Sequence, residues 1–269
     1  MKKILNTILI VSGLCAAVSC SFFEVEPQVI CSDTFYKTEA EVKYGLAGVY
    51  GVMNNEEFYG NDYSLACSNI DDLSYFNRSA SASNYLQWYA YGPGEAVVYD
   101  VWTEIYQGIR NANDFLQAVS QTDFDTDGAL RAEARFLRAY YHFILAQAWG
   151  DVPLRDKPIK TPDDVMCAAS PQLDVLKWCV SEMEACLSSI GNNVSETPSR
   201  VTKNTVFGIL ARVNLFMAGQ SVKTTDAEKL ACWTAARDYA DSVIVNGAHK
   251  LNPDYSQVFK NMISDKYDT

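Results

Sequence analysis

Apolar residues recur along this chain at steps of three and four. Val98, Trp102, Ile105, Ile109, Ala112, Leu116 and Val119 form one stripe, and Leu173, Leu176, Val180, Met183, Leu187 and Ile190 another. Shorter stripes run Val42, Leu46, Val49, Met53; Ala132, Phe136, Ala139, Phe143; Val206, Leu210, Val213, Met217; and Trp233, Ala236, Ala240, Val243. Steps of this kind bring the apolar residues onto one side of a helix. The polar residues between them supply start signals. Thr38 with Glu41 and Thr225 with Glu228 are capping boxes, and Ser170-Pro171 sets a cap ahead of a first-turn proline. Gly150 with Pro153, Gly191, Gly219 and Gly247 follow helical runs and predict their ends. No run alternates in the manner of a strand. The expected fold class is all-α.

The helices read as pairs. Ala235, Tyr239 and Ser242 fit the second-helix pattern of a tetratricopeptide unit, small-x₃-aromatic-x₂-small, with Leu210 to Met217 as the first helix. Phe136, Ala139, Tyr140 and Phe143 open an earlier pair, closed by residues 171–190. Small residues let two helices approach, and the aromatic fills the gap between neighbouring pairs. The expectation is an α-α superhelix of tetratricopeptide-like pairs with long irregular loops. The spacing is irregular, and a generic helical bundle is the alternative.

The amino end follows another pattern. Lys2 and Lys3 precede a mostly apolar run from Ile4 to Val18, shorter than the roughly 20 residues that span a bilayer. The stretch Ala17-Val18-Ser19-Cys20 looks like a bacterial lipobox, with Ala17 where leucine is usual. Residues 1–19 then read as a lipoprotein signal peptide, Cys20 as the acylated residue and residues 20–34 as anchor and linker. An ordinary secretion signal with an incidental cysteine is the alternative. Each buried CH₂ of an acyl chain contributes about 0.8 kcal/mol, so several chains on one residue hold a protein at a membrane surface. No later stretch is apolar enough to span, so the mature protein is expected to sit on a membrane.

Composition narrows the chemistry. The net charge is −11 and no basic run occurs, which argues against nucleic acid and against a polybasic grip on anionic lipid. Six cysteines lie beyond Cys20: Cys31, Cys67, Cys167, Cys179, Cys186 and Cys232. None forms a C-x-x-C. Cys179 and Cys186 stand seven apart on one predicted helix, about 10 Å in rise, too far to bridge each other. Buried thiols are the favoured reading, and a bridge between distant segments stays open. Asp123 to Gly128, DFDTDG, matches the opening of a calcium loop, but Ala134 stands where its bidentate Glu is due. That segment reads instead as a linker in which Asp127 caps the helix from Ala129. Arg131, Arg135, Arg138 and His142 line one helical face, which suits salt bridges to neighbouring helices better than a phosphate site. Two histidines, His142 and His249, lack companions at metal-ligand spacing. No metal, cofactor or catalytic fingerprint is present.

The ligand-binding candidate is the stretch from Glu57 to Tyr91, which lacks a helical period. Its 35 residues hold nine aromatics, about twice the 12% share of the whole chain. Flat rings stack on the C–H faces of sugars, while carboxylates, amides and a guanidinium bond hydroxyl pairs. Such anchors also suit peptide capture. Trp88, Tyr85, Tyr89 and Tyr91 are the expected stacking residues. Asp71, Asp72 and Arg78 are the expected hydrogen-bonding residues, Arg78 being the only basic residue between Lys43 and Arg110. The competing reading is that several of these rings pack the loop onto the helices or onto a partner.

Several blocks together resemble one family. They are SFFEVEPQ after the lipobox, DTFYKTEAEVKYGLAGVYG from Asp33, WTEIYQGIRNANDFL from Trp102, RAEARFLRAYYHFILAQAWGDVPL from Arg131, SRVTKNTVFGILARVNLFMAG from Ser199 and LNPDYSQVF from Leu251. In this order they are similar to the opening part of SusD/RagB outer-membrane lipoproteins. The resemblance implies a surface lipoprotein, facing the cell exterior, that binds glycan or peptide. It would deliver that ligand to a SusC-like TonB-dependent transporter. The resemblance also implies ligand contacts through aromatics ahead of Trp102. Members continue well past the position of Thr269, so residues 35–269 are expected to be a SusD-like helical domain shortened at the carboxyl end. A protein-binding scaffold and a glycoside hydrolase are the alternatives. The latter needs two carboxylates about 5 to 10 Å apart across a cleft, which the adjacent Asp71 and Asp72 do not supply. An enzyme is therefore not expected.

Overall fold

The computed structural model describes residues 35–64, 72–73, 86–192, 199–219, 222–246 and 251–263. Contacts divide the chain into residues 1–37 and 38–269. Of the first unit only Phe35, Tyr36 and Lys37 are described. The expected leader and Cys20 lie outside the described residues, as do Cys31 and Cys67.

The second unit is helical, in the order α1 Glu39–Gly51, α2 Ala96–Val119, α3 Ala129–Trp149, β1 Val152–Pro153, β2 Ala169–Ser170, α4 Gln172–Cys186, α5 Lys203–Met217, α6 Asp226–Val245 and α7 Tyr255–Ile263. Both expected pairs form, α3 with α4 and α5 with α6, while α2 lies along α3. The all-α expectation holds, with one two-residue antiparallel strand pair, Val152 opposite Ser170, as the addition.

Helix α3 runs through the core. Its residues from Ala132 to Ala146 are all buried except Arg135, so its surroundings cover far more than one apolar stripe. Polar groups carried inside with it are matched. Glu133 receives two hydrogen bonds from the Arg200 guanidinium, at 2.9 and 2.6 Å, and one from the Tyr50 hydroxyl at 2.6 Å. The same Tyr50 oxygen accepts from Val201 N–H at 3.0 Å, which ties α1, α3 and the approach to α5 together. Tyr141, fully buried, donates to the Val49 carbonyl at 2.6 Å.

The basic face of α3 is used for ion pairing, as its spacing predicts. Arg135 and Arg138 both reach Glu182 on α4 at 2.7 Å, and Arg131 reaches Asp125 at 2.8 Å. Burial pushes the Glu182 carboxyl up, but the two guanidiniums outweigh it and hold the acid below its ordinary range. His142 is fully buried. Its Nε2 accepts from Arg155 N–H at 3.1 Å, which leaves Nδ1 to donate to the Arg138 carbonyl at 2.9 Å. The imidazole is therefore neutral, and it anchors the start of the loop joining β1 to β2.

Two expectations need correction, and two hold with an addition. The helix after Ser170-Pro171 begins at Gln172, and Ser170 makes no cap. Ser170 is engaged in the strand pair, so Asp151 caps the helix instead, accepting from Gln172 N–H at 2.8 Å. On α6 the stripe Trp233, Ala236, Ala240, Val243 is not the inner face: Trp233 and Ala240 are exposed. Cys232 and Ala236 are buried, with Ala235, Tyr239 and Ser242 beside them, because small residues allow the close approach to α5. Tyr239 stacks at 6.3 Å on Phe207 and donates to Glu184 on α4. Third, Asp127 does accept from Ala129 N–H at 3.1 Å, but the buried Asp125 does more. Asp125 accepts from Leu130 N–H at 2.9 Å and Arg131 N–H at 3.0 Å. Lastly, Cys179, Cys186 and Cys232 are buried free thiols, whereas Cys167 is exposed. Burial pushes the Cys186 thiol up to about 11, which makes it unreactive.

Candidate functional site

The aromatic stretch divides between core and surface. Asn55 to Gly60 turns back tightly after α1, and Phe58 is fully buried there, 4.2 Å from the Tyr59 ring and 6.1 Å from Tyr141. Tyr63 is buried against Phe58 at 5.2 Å, and the Tyr59 and Tyr140 hydroxyls share a hydrogen bond. These rings pack the segment onto α3, as the competing reading supposed. Further along, Trp88, Tyr89 and Tyr91 are 59, 72 and 46% exposed. They follow Leu86, whose carbonyl accepts from Tyr89 N–H at 3.1 Å. Tyr89 has a φ of 54°, a left-handed conformation that a tyrosine adopts at a cost. Asp72 is exposed and is not among the residues that line the cavity described next. Tyr85, Asp71 and Arg78 lie outside the described residues.

A cavity of about 560 Å³ opens beside this turn. Its floor is the first two turns of α2, with Val98, Val101 and Trp102. Its far wall is the end of α3, Ala148 and Trp149, and its near wall is the turn itself, Leu86, Tyr91 and Pro93. The buried Tyr63 also lines the cavity. Gly150, with a φ of 78°, ends α3 immediately after Trp149 and so leaves that indole at the cavity. The Trp102 and Trp149 rings meet edge to face at 5.4 Å, and Tyr106 lies 4.9 Å from Trp102. The Tyr106 hydroxyl donates to the Pro153 carbonyl at 2.8 Å, and burial raises this phenol above its ordinary range. The volume lies within the usual range for small-molecule sites, which are mostly apolar with few polar groups. No described lining residue carries a charge.

Of the expected stacking residues, the cavity thus takes in Tyr91, with Trp88 and Tyr89 exposed three and two positions before it. Trp102 and Trp149 were missed as candidates. Periodicity assigned Val98 and Trp102 to the buried stripe of α2, yet both are only half-buried. A tryptophan at either end of a helical stripe, where covering neighbours run out, is the signal that was available. Among the described residues no group of His, Cys, Asp and Glu is arranged to hold a metal ion. No helix there is long and apolar enough to cross a membrane.

A family model described as starch-binding, associating with outer membrane, and SusD-like in type matches residues 21–215. The chain belongs to the SusD-like family. SusD-like protein P25 of Formosa agariphila is 26% identical over 271 residues, covering 96% of this chain and 49% of that protein. A SusD homologue of Bacteroides thetaiotaomicron superposes with a TM-score of 0.75 at 22% identity, over 88% of this chain and 46% of its own. A laminarin-binding SusD-like protein gives 0.68 at 20% identity, over 87 and 50%. These two likenesses are of fold, and the neighbours share the helical tetratricopeptide-like architecture. The chain spans about half the length of the relatives it matches.

Proposed function

We propose that this SusD-like chain binds glycan in the aromatic cavity between α2 and α3. In this reading it is held at the outer membrane through acylated Cys20 and passes the ligand to a SusC-like TonB-dependent transporter. The observation that carries the proposal is the convergence of Trp102, Trp149 and Tyr91 on one open, uncharged cavity. Indole and phenol rings offer faces for sugar C–H groups, and tyrosine hydroxyls bond sugar hydroxyls. The family description and the laminarin-binding neighbour support the same ligand class. The lack of any carboxylate among the described lining residues favours binding over glycoside hydrolysis, which needs two.

Titration with a panel of soluble oligosaccharides tests the reading. Trp102→Ala and Trp88→Ala should each weaken binding by about 1 to 3 kcal/mol, the scale of an aromatic anchor. Unchanged affinity in both variants would move the ligand elsewhere. Cys20→Ser should release the protein from the outer-membrane fraction, and a variant that stayed bound would remove the tether. A scaffold for protein partners has one observation in its favour: Leu230, Trp233 and Ile244 are exposed along the outer side of α6. That reading gains if no glycan binds.

A further inference from the structure

The lining of the cavity specifies more than aromatic stacking. We infer that it selects uncharged glycans and rejects those carrying uronate or sulfate groups; the inference rests on the glycan reading above. Two observations carry it. The first is that the described lining side chains are all neutral, so an anionic sugar seated on Trp102 and Trp149 would lose water without gaining a cation from them. The second concerns the stretches of chain that carry the lining residues. Every charged residue within three positions of a lining residue is acidic: Asp62, Glu95, Asp100, Glu104 and Asp151. Helix α2 has no Lys or Arg before Arg110, and the chain as a whole carries a net charge of −11. Negative charge in excess on the chain carrying an apolar cavity repels anions as they approach it. Neutral sugars escape both penalties, because hydroxyl pairs bond tyrosine hydroxyls and backbone groups without a net charge to match.

The test uses the full chain on an array that sets neutral glucans, xylans, mannans and galactans beside pectins, alginates and sulfated galactans. The strongest binders are expected to be neutral. For the best of them, the C6-oxidised counterpart, with a carboxylate at each primary alcohol, should bind at least about tenfold more weakly. Raising the salt concentration should narrow that gap by screening the chain's negative charge. Val98→Lys, at a half-buried lining position, should narrow it too, with circular dichroism checking that the helices persist. An acidic glycan among the best binders, or an oxidised ligand held as tightly as its parent, would overturn the selectivity while leaving glycan binding intact. Acidic binding that disappears in Arg78→Gln would overturn it as well and assign the recognition to Arg78. Silence across the whole array would instead defeat the proposed function itself, and the selectivity with it.

Discussion

Replacing Gly108 by alanine puts two opposed effects at one position, and the structure decides between them. Gly108 is buried in the middle of α2, where alanine is favoured over glycine by about 1 kcal/mol on helix propensity alone. A methyl group there would stand 2.7 Å from Tyr141 Cε2, 2.8 Å from Cζ and 3.1 Å from Cδ2. Tyr141 cannot swing away freely. It is fully buried on α3, Phe58 packs beside it, and its hydroxyl is held by the Val49 carbonyl of α1. Overpacking of this kind costs about 1 to 3 kcal/mol. If the ring moves far enough to break its hydrogen bond, an unsatisfied buried pair adds about 1 to 3 kcal/mol. The net expectation for Gly108→Ala is a loss of about 2 to 3 kcal/mol, read as a urea midpoint lower by about 1 M at an unchanged slope. Gly48→Ala is the control: it sits on the exposed side of α1 with nothing within 4 Å of the added carbon. That variant should gain up to about 1 kcal/mol. A Gly108→Ala protein as stable as the parent, measured beside a stabilised Gly48→Ala, would refute the close approach of α2 and α3.

His142 predicts a pH dependence. Burial pushes its pKa down to about 4, with the Arg138 charge adding to the shift and the Arg138 carbonyl and Glu182 opposing it. The unfolded chain, at its ordinary value near 6.5, binds the proton first. Stability from this residue is therefore fully present above about pH 6.5 and falls as the pH drops towards 4, by about 3 kcal/mol in all. Urea melts at several pH values should show that slope, and His142→Gln should lose it; equal slopes would sink the account. Glu182, held low by its two arginines, responds only at more acidic pH. Glu133→Ala removes the acceptor for Arg200 and Tyr50 and should cost about 3 kcal/mol. In a cycle with Tyr50→Phe the two losses should not add, since both act on one cluster, and strict additivity would contradict the shared network.

Much of the architecture was legible in the chain because its signals are local. Thr38 and Glu41, or Thr225 and Glu228, satisfy each other's backbone partners within four residues, and both capping boxes form. The arginine face of α3 was legible as ion-pairing, though not its partner, Glu182, which arrives from 44 positions away. The errors share a different cause. Ser170 lost its capping role to Asp151, 21 residues away from the amide it caps, through a strand pair too short to leave a period. Trp233 was assigned inward by its stripe, but the face with small residues won, because helix approach depends on the neighbour's shape as well as on polarity. Trp102 was assigned to the core by the same logic, yet it is only half-buried and lines the cavity with Trp149.

The order of apolar and polar side chains, read alone, determined that this chain folds as paired helices and where most of them begin. Those outcomes depend on 3.6-residue geometry and on caps that operate within a turn. Which half of a stripe is covered, which rings fill the core and which remain open beside Trp102 and Trp149 was decided only by the tertiary structure. Burial is a property of whatever segment arrives across space, and no local pattern records that arrival.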